Sequence, residues 1–165
     1  MIYYGYYSHI DGMFLVGITR FLYQRRVVMI LETGIMIENA IKYVKQIFAD
    51  DCSGHDYHHT MRVYRLAMQI AEQENADMLI VQLAALLHDV DDVKLSPETH
   101  DTKKNAVRFM KNSGVDDKVI ASVCKIIDEV SFVGTDSVVP STLEGKCVQD
   151  ADRLDAIGAI GIART

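Results

Sequence analysis

At 165 residues the chain fits one domain and is long enough to bury a real core. Its 49 % apolar and 24 % charged residues match a soluble globular protein, and a net charge of −6 argues against general nucleic-acid binding. Three cysteines (Cys52, Cys124, Cys147) form no C-x-x-C pair; they make no disulfide framework and read as reduced thiols of a cytoplasmic protein.

The first 35 residues differ from the rest, holding five of the eight tyrosines (Tyr3, Tyr4, Tyr6, Tyr7, Tyr23) and only two acidic residues, Asp11 and Glu32. Residues 13–31, MFLVGITRFLYQRRVVMIL, are apolar in parts but are interrupted by Arg20, Gln24, Arg25 and Arg26. That falls short of the ~18 uninterrupted apolar residues of a membrane span. Charges inside the apolar stretch, rather than ahead of it, do not make a signal peptide. At Met36 a new pattern starts, with Ile37, Ile41, Val44 and Phe48 at helical spacing. Residues 1–35 read as an N-terminal extension, or as upstream sequence ahead of a natural start at Met36, and residues 36–165 as the domain.

From Met36 onward the periodicity is helical. Ser53-Gly54 ends the first helix, and a second over residues 56–74 carries Val63, Leu66, Ala67, Ile70 and Ala71 as its apolar stripe. Asp77 caps a third helix, expected to run to about Val90. Ser96-Pro97-Glu98 predicts the start of a fourth, which stops near Gly114, and Asp116 or Asp117 caps a fifth reaching about Ser131. A loop, FVGTDSVVPSTLEG, precedes a last helix from about Lys146. No alternating strand pattern recurs, so the expected fold is all-α, a bundle of about six helices. The final AIGAIGIART has neither glycine cap nor polar tail, which predicts a domain truncated at its C-terminus.

The dipeptide His-Asp occurs three times, and one copy, His88-Asp89, sits directly behind the apolar run of residues 79–87. A histidine and a carboxylate at the end of a buried helix are costly unless something binds them. A divalent metal ion would justify both, since imidazole and carboxylate are its natural ligands; alternatively His88 caps the helix and Asp89 is solvated. His59 heads the stripe of Val63, Leu66 and Ile70, so it faces the core as a ligand or as a hydrogen-bonded buried histidine. In VQDADRLDAIG, the periodicity of Val148, Asp152, Asp155 and Ala159 turns Asp152 inward, towards a metal or towards Arg153. His55-Asp56 precedes a helix, where Asp56 reads as the N-cap, and His100-Asp101 lies among polar residues on a solvated face.

Histidine, His-Asp and Asp on three separate helices, carried by HDYHHTMRVYRLAMQIA, LAALLHDVDD and VQDADRLDAIGAIGIA, closely resemble the HD superfamily of metal-dependent phosphohydrolases. The resemblance, to small bacterial members, covers residues 36–165 and implies His59, His88, Asp89 and Asp152 as metal ligands. It implies one metal, because only His100 lies between His-Asp and Asp152 and no Gly-Tyr-Pro tripeptide occurs. The mixed nitrogen and oxygen set admits manganese, iron, cobalt, nickel, zinc or magnesium, and the lack of cysteine ligands argues against a structural zinc site.

Such an ion acts as a Lewis acid and lowers the pKa of bound water. The implied reaction is hydrolysis of a phosphomonoester of a nucleotide or small metabolite. Asp92 matches a position where similar HD nucleotidases carry an acid and is the candidate proton-handling group, with Asp91 as the fallback; Asp92 can equally be a capping or solvated residue. Arg62, in an H-x-x-R-V arrangement that recurs in the superfamily, is the candidate phosphate ligand, or a surface ion-pair partner. His55 at the pocket mouth and Lys103 are further substrate-binding candidates. Two other readings stay open: a nucleotide-binding regulatory module without turnover, and a helical scaffold whose histidines and aspartates pair internally.

Overall fold

The computed structural model describes residues 8–49, 56–131 and 138–157, with side chains described from Leu22 onward. Among these residues there are six α-helices and no strand: α1 (Ser8–Ile47), α2 (Tyr57–Glu74), α3 (Met78–Leu87), α4 (Lys104–Asn112), α5 (Asp117–Val130) and α6 (Leu143–Ile157). The all-α expectation holds. The chain divides into two compact units, Met1–Met36 and Ile37–Thr165.

No helix among the described residues is long and apolar enough to cross a membrane. The new start read at Met36 is not a helix start, since α1 passes through it without a break. The reason is local: no proline precedes Pro97, and Thr33 satisfies its hydroxyl by donating to the Met29 carbonyl at 2.9 Å within the helix.

Within the second unit, α3 is the centre. Val81, Leu83, Ala84, Ala85, Leu86 and Leu87 are all fully buried, as a helix apolar on every side must be. It packs against α2, α5 and α6, and α2 also lies along α6. The stripe read in residues 37–48 faces the same core, with Ile37, Val44 and Phe48 buried, and Tyr43 stacks on Phe109 of α4 at 5.0 Å.

Three aspartates start three helices by accepting backbone N–H bonds. Asp56 Oδ1 takes His59 N at 2.7 Å. Asp77 takes Leu79 N and Ile80 N, and Asp116 takes Lys118 N.

The sequence reading departs from the structure at helix ends. Helix α3 stops at Leu87, three residues early, and turns carry the chain past His88. Pro97 opens no α-helix; turns lead instead into a 3-10 turn at His100–Thr102 and then α4. The break is Lys103, whose φ of +47° interrupts any continuous helix there. Helix α6 begins at Leu143 rather than Lys146. Its first turn is pressed against the preceding loop: a Cβ on Gly145 would lie 2.7 Å from Pro140 Cβ, so only glycine fits.

Candidate metal centre

Each helix delivers its part of the site from an end near the core. His59 lies in the first turn of α2, His88 and Asp89 follow the C-terminus of α3, and Asp152 projects from α6. His59, His88 and Asp89 are buried. One ligand atom from each lies within 4.8 Å of the other two. Asp152 joins them, its Oδ1 3.3 Å from His59 Nε2 and 3.9 Å from His88 Nε2. Asp89 Oδ2 lies 3.5 Å from His59 Nε2 and 3.0 Å from His88 Nε2. The two rings meet edge to face at 5.4 Å.

The outer nitrogen of each ring sets the role of the inner one. His88 Nδ1 lies 2.9 Å from the Ala85 carbonyl, which can only accept, so Nδ1 carries a proton. In the neutral ring the Nε2 lone pair then points into the cluster. That Nε2 is buried without a hydrogen-bond partner among the described residues. On the other side, His59 Nδ1 meets Asp155 Oδ2 at 2.8 Å. A divalent ion bonded at ~2.0–2.2 Å to imidazole and carboxylate needs neighbouring donors about 3 to 3.5 Å apart; the His59–Asp89, His59–Asp152 and His88–Asp89 pairs lie at that spacing, and His88–Asp152 is wider at 3.9 Å. The donor set fits such an ion.

Charge is concentrated at this point. Burial disfavours a charged His59, but hydrogen bonds to Asp152, Asp89 and Asp155 outweigh it and raise its pKa from 6.5 to about 10. Burial likewise opposes charge on His88, and the neighbouring Asp89 carboxylate raises it nonetheless. The carboxylates around both rings thus favour positive charge at this point.

Several residues lie where other partners hold them. Arg62 grips Asp155 in two bonds, Nε to Oδ1 at 2.6 Å and Nη2 to Oδ2 at 3.0 Å. Burial pushes the Asp155 carboxyl up, but Arg62 and His59 hold it below the usual aspartate value. In the structure Arg62 thus has a carboxylate partner, the ion-pair alternative named for it beside a phosphate. Asp91 is also committed: its two oxygens accept Asn105 N at 3.1 Å and Ala106 N at 2.9 Å. It caps α4 from a distance, because Lys103, the residue just before the helix, supplies no side-chain cap. His55 lies outside the described residues.

Beside His88 opens a small pocket lined by Asp92, His100, Lys103, Asp128 and Ser131. Asp92 Oδ1 accepts Lys94 N at 2.9 Å. His100 is not on a solvated face: its Nδ1 donates to the Asp91 carbonyl at 2.9 Å and the ring is half-buried. Lys103 is buried, with its ammonium paired to the outer carboxylate of Asp128. Sequence reasoning missed Asp155 and Asp128. For Asp155 a signal existed, since His59 and Arg62 on α2, and Asp152 and Asp155 on α6, are each one helical turn apart.

The HD domain family matches residues 56–157, so the chain belongs to the HD domain family. It is 45 % identical over 124 residues to YpgQ of Bacillus subtilis, covering 74 % of this chain and 60 % of YpgQ. A crystal structure of an HD-superfamily hydrolase from Bacillus thuringiensis superposes with a TM-score of 0.66 at 40 % identity, covering 81 % of this chain and 64 % of that one. The crystal structure of Bacillus subtilis YpgQ in complex with ADP gives a TM-score of 0.67 at 38 % identity, with the same coverage of 81 % and 64 %. The chain thus spans somewhat less than two thirds of these relatives.

Proposed function

We propose that the protein is a metal-dependent phosphohydrolase that cleaves a phosphomonoester of a nucleotide or small phosphorylated metabolite. One observation carries the reading: His59, His88, Asp89 and Asp152 converge, and the buried His88 Nε2 aims into their midst. These four residues would hold one divalent ion, whose Lewis acidity polarises a phosphate oxygen and acidifies water.

The chain's own groups supply the rest. Asp92, at the pocket beside His88, has a second carboxylate oxygen to take a proton from the attacking water. Lys103 is the cation of that pocket. Its partner Asp128 has a largely exposed side chain, 62 %, so an incoming phosphate can replace it at the ammonium at modest cost. Asp91 and Arg62 support the scaffold of the site rather than touching substrate. ADP in the YpgQ crystal structure supports a nucleotide as the ligand. Cys124 and Cys147 form no disulfide, which supports a cytoplasmic setting.

The same ADP complex also suits a second reading, a nucleotide-binding regulatory module without turnover. Phosphate release from a panel of nucleotides and sugar phosphates, with each divalent metal added in turn to metal-free protein, separates the two. Metal-stimulated release that Asp92→Asn abolishes supports the hydrolase. Tight nucleotide binding without release supports the module.

A further inference from the structure

We infer that Asp155 is a positioning residue of the metal centre: its carboxylate, clamped by Arg62, fixes the His59 ring so that Nε2 alone faces the ion. The inference rests on the metal-centre reading above and goes beyond it in naming a residue outside the four ligands.

The geometry leaves Asp155 little freedom. It is buried, and both oxygens are used: Oδ1 accepts Arg62 Nε, and Oδ2 accepts Arg62 Nη2 and meets His59 Nδ1. Because Arg62 can only donate, the clamp requires an acceptor at both positions. An ionised carboxylate provides that, so the proton of the His59–Asp155 bond resides on Nδ1 and the Nε2 lone pair is left for the metal. A carboxylate on the far nitrogen also strengthens the ring as a donor. The parts are spaced to match. Asp152 and Asp155 stand one turn apart on α6, opposite His59 and Arg62 one turn apart on α2, so the contact that joins the two helices also aims the ligand.

Asparagine has nearly the shape of aspartate but cannot fill this place. If its oxygen faces His59, its NH2 opposes the Arg62 Nε–H. If its oxygen faces Arg62 Nε, the NH2 donates to His59 Nδ1 and moves the ring proton to Nε2, onto the metal side. Either arrangement costs metal affinity. Loss of such an outer partner of a ligating histidine weakens metal binding by roughly 10- to 100-fold.

Two measurements test this. Zinc titration by calorimetry compares wild type, Asp155→Asn and Asp155→Glu, the last restoring the charge. Long-range 15N–1H NMR of the zinc-loaded wild type locates the His59 ring proton without relying on any variant; a His59→Gln spectrum assigns the signal. The inference predicts a 10- to 100-fold weaker zinc affinity for Asp155→Asn, partial recovery in Asp155→Glu, and a proton on Nδ1 of His59. Unchanged affinity in a folded Asp155→Asn, or a proton on Nε2 with zinc on Nδ1, overturns the inference and leaves the metal centre standing. A wild type that takes up no zinc or other divalent ion overturns both.

Discussion

His88 donates through Nδ1 to the carbonyl of Ala85, three residues back in the last turn of α3, at 2.9 Å. The bond satisfies one of the carbonyls that every helix C-terminus leaves unpaired, and it turns Nε2 into the cluster, where it has no hydrogen-bond partner among the described residues. One contact thus ends α3 and aims the proposed ligand nitrogen. His88→Gln places an amide where the imidazole was and removes the inner nitrogen, so metal is expected to be lost while the helical circular-dichroism spectrum is kept. Retention of metal in that variant would rule out His88 as a ligand.

The charge at the cluster predicts opposite pH trends for the metal-free and metal-bound protein. The folded-state pKa of His59 is about 10 against 6.5. A raised pKa means stabilisation that is complete below 6.5, declines above it and vanishes beyond about 10. Denaturation midpoints of the metal-free protein should fall across that window. Metal affinity should rise over the same interval, by up to about tenfold per pH unit per proton displaced, because the ion competes with the His59 proton. Calorimetry in buffers of different ionisation heat should show at least about one proton released per ion at neutral pH. At the acid end, Asp155, whose carboxyl is held low, contributes stability above the ordinary aspartate value and loses it as pH falls through its own.

Asp91 and Asp92 are neighbours with different work. Asp91→Ala strips the acceptor from Asn105 and Ala106 N–H and should cost about 1–2 kcal/mol of stability, as a lost N-cap does. Asp92→Asn should leave stability and metal content unchanged while lowering turnover by roughly 10²- to 10⁴-fold. Guanidinium melts and phosphate release, run on both variants, check the pair. Equal effects of the two on turnover at full stability would reverse the assignment.

Lys103→Ala removes the pocket's buried ammonium and should raise KM about tenfold, the size of one charge-assisted hydrogen bond of ~1.5 kcal/mol. Metal content should not change, since Lys103 points to Asp128 rather than to the ligands. A fall in kcat at constant KM would place Lys103 in the chemical step instead.

The helical class was legible because α3 is apolar except for Gln82 and α2 carries a clear stripe, patterns that local sequence states directly. The caps at Asp56, Asp77 and Asp116 were legible for the same reason: each acts within three residues. The segment of residues 96–103 was not, because Lys103 adopts a left-handed conformation that no local pattern announces, and the cap of α4 comes from Asp91, fourteen and fifteen residues away. The convergence of His59, His88, Asp89 and Asp152 was drawn from family resemblance, and the structure brings those residues together. The Arg62–Asp155 clamp bridges 93 residues of sequence; partners that distant become visible only once α2 and α6 are packed.

The most direct test is the metal content of protein purified without added metal and without a metal-binding tag, measured by elemental analysis beside His88→Ala and Asp152→Ala. About one equivalent of a divalent ion in the wild type, acquired natively or on titration and absent from both variants, is the expected result. A wild type that neither carries nor takes up an ion, or variants that keep it, would contradict the four-ligand centre and leave the cluster as an internal ion-pair network.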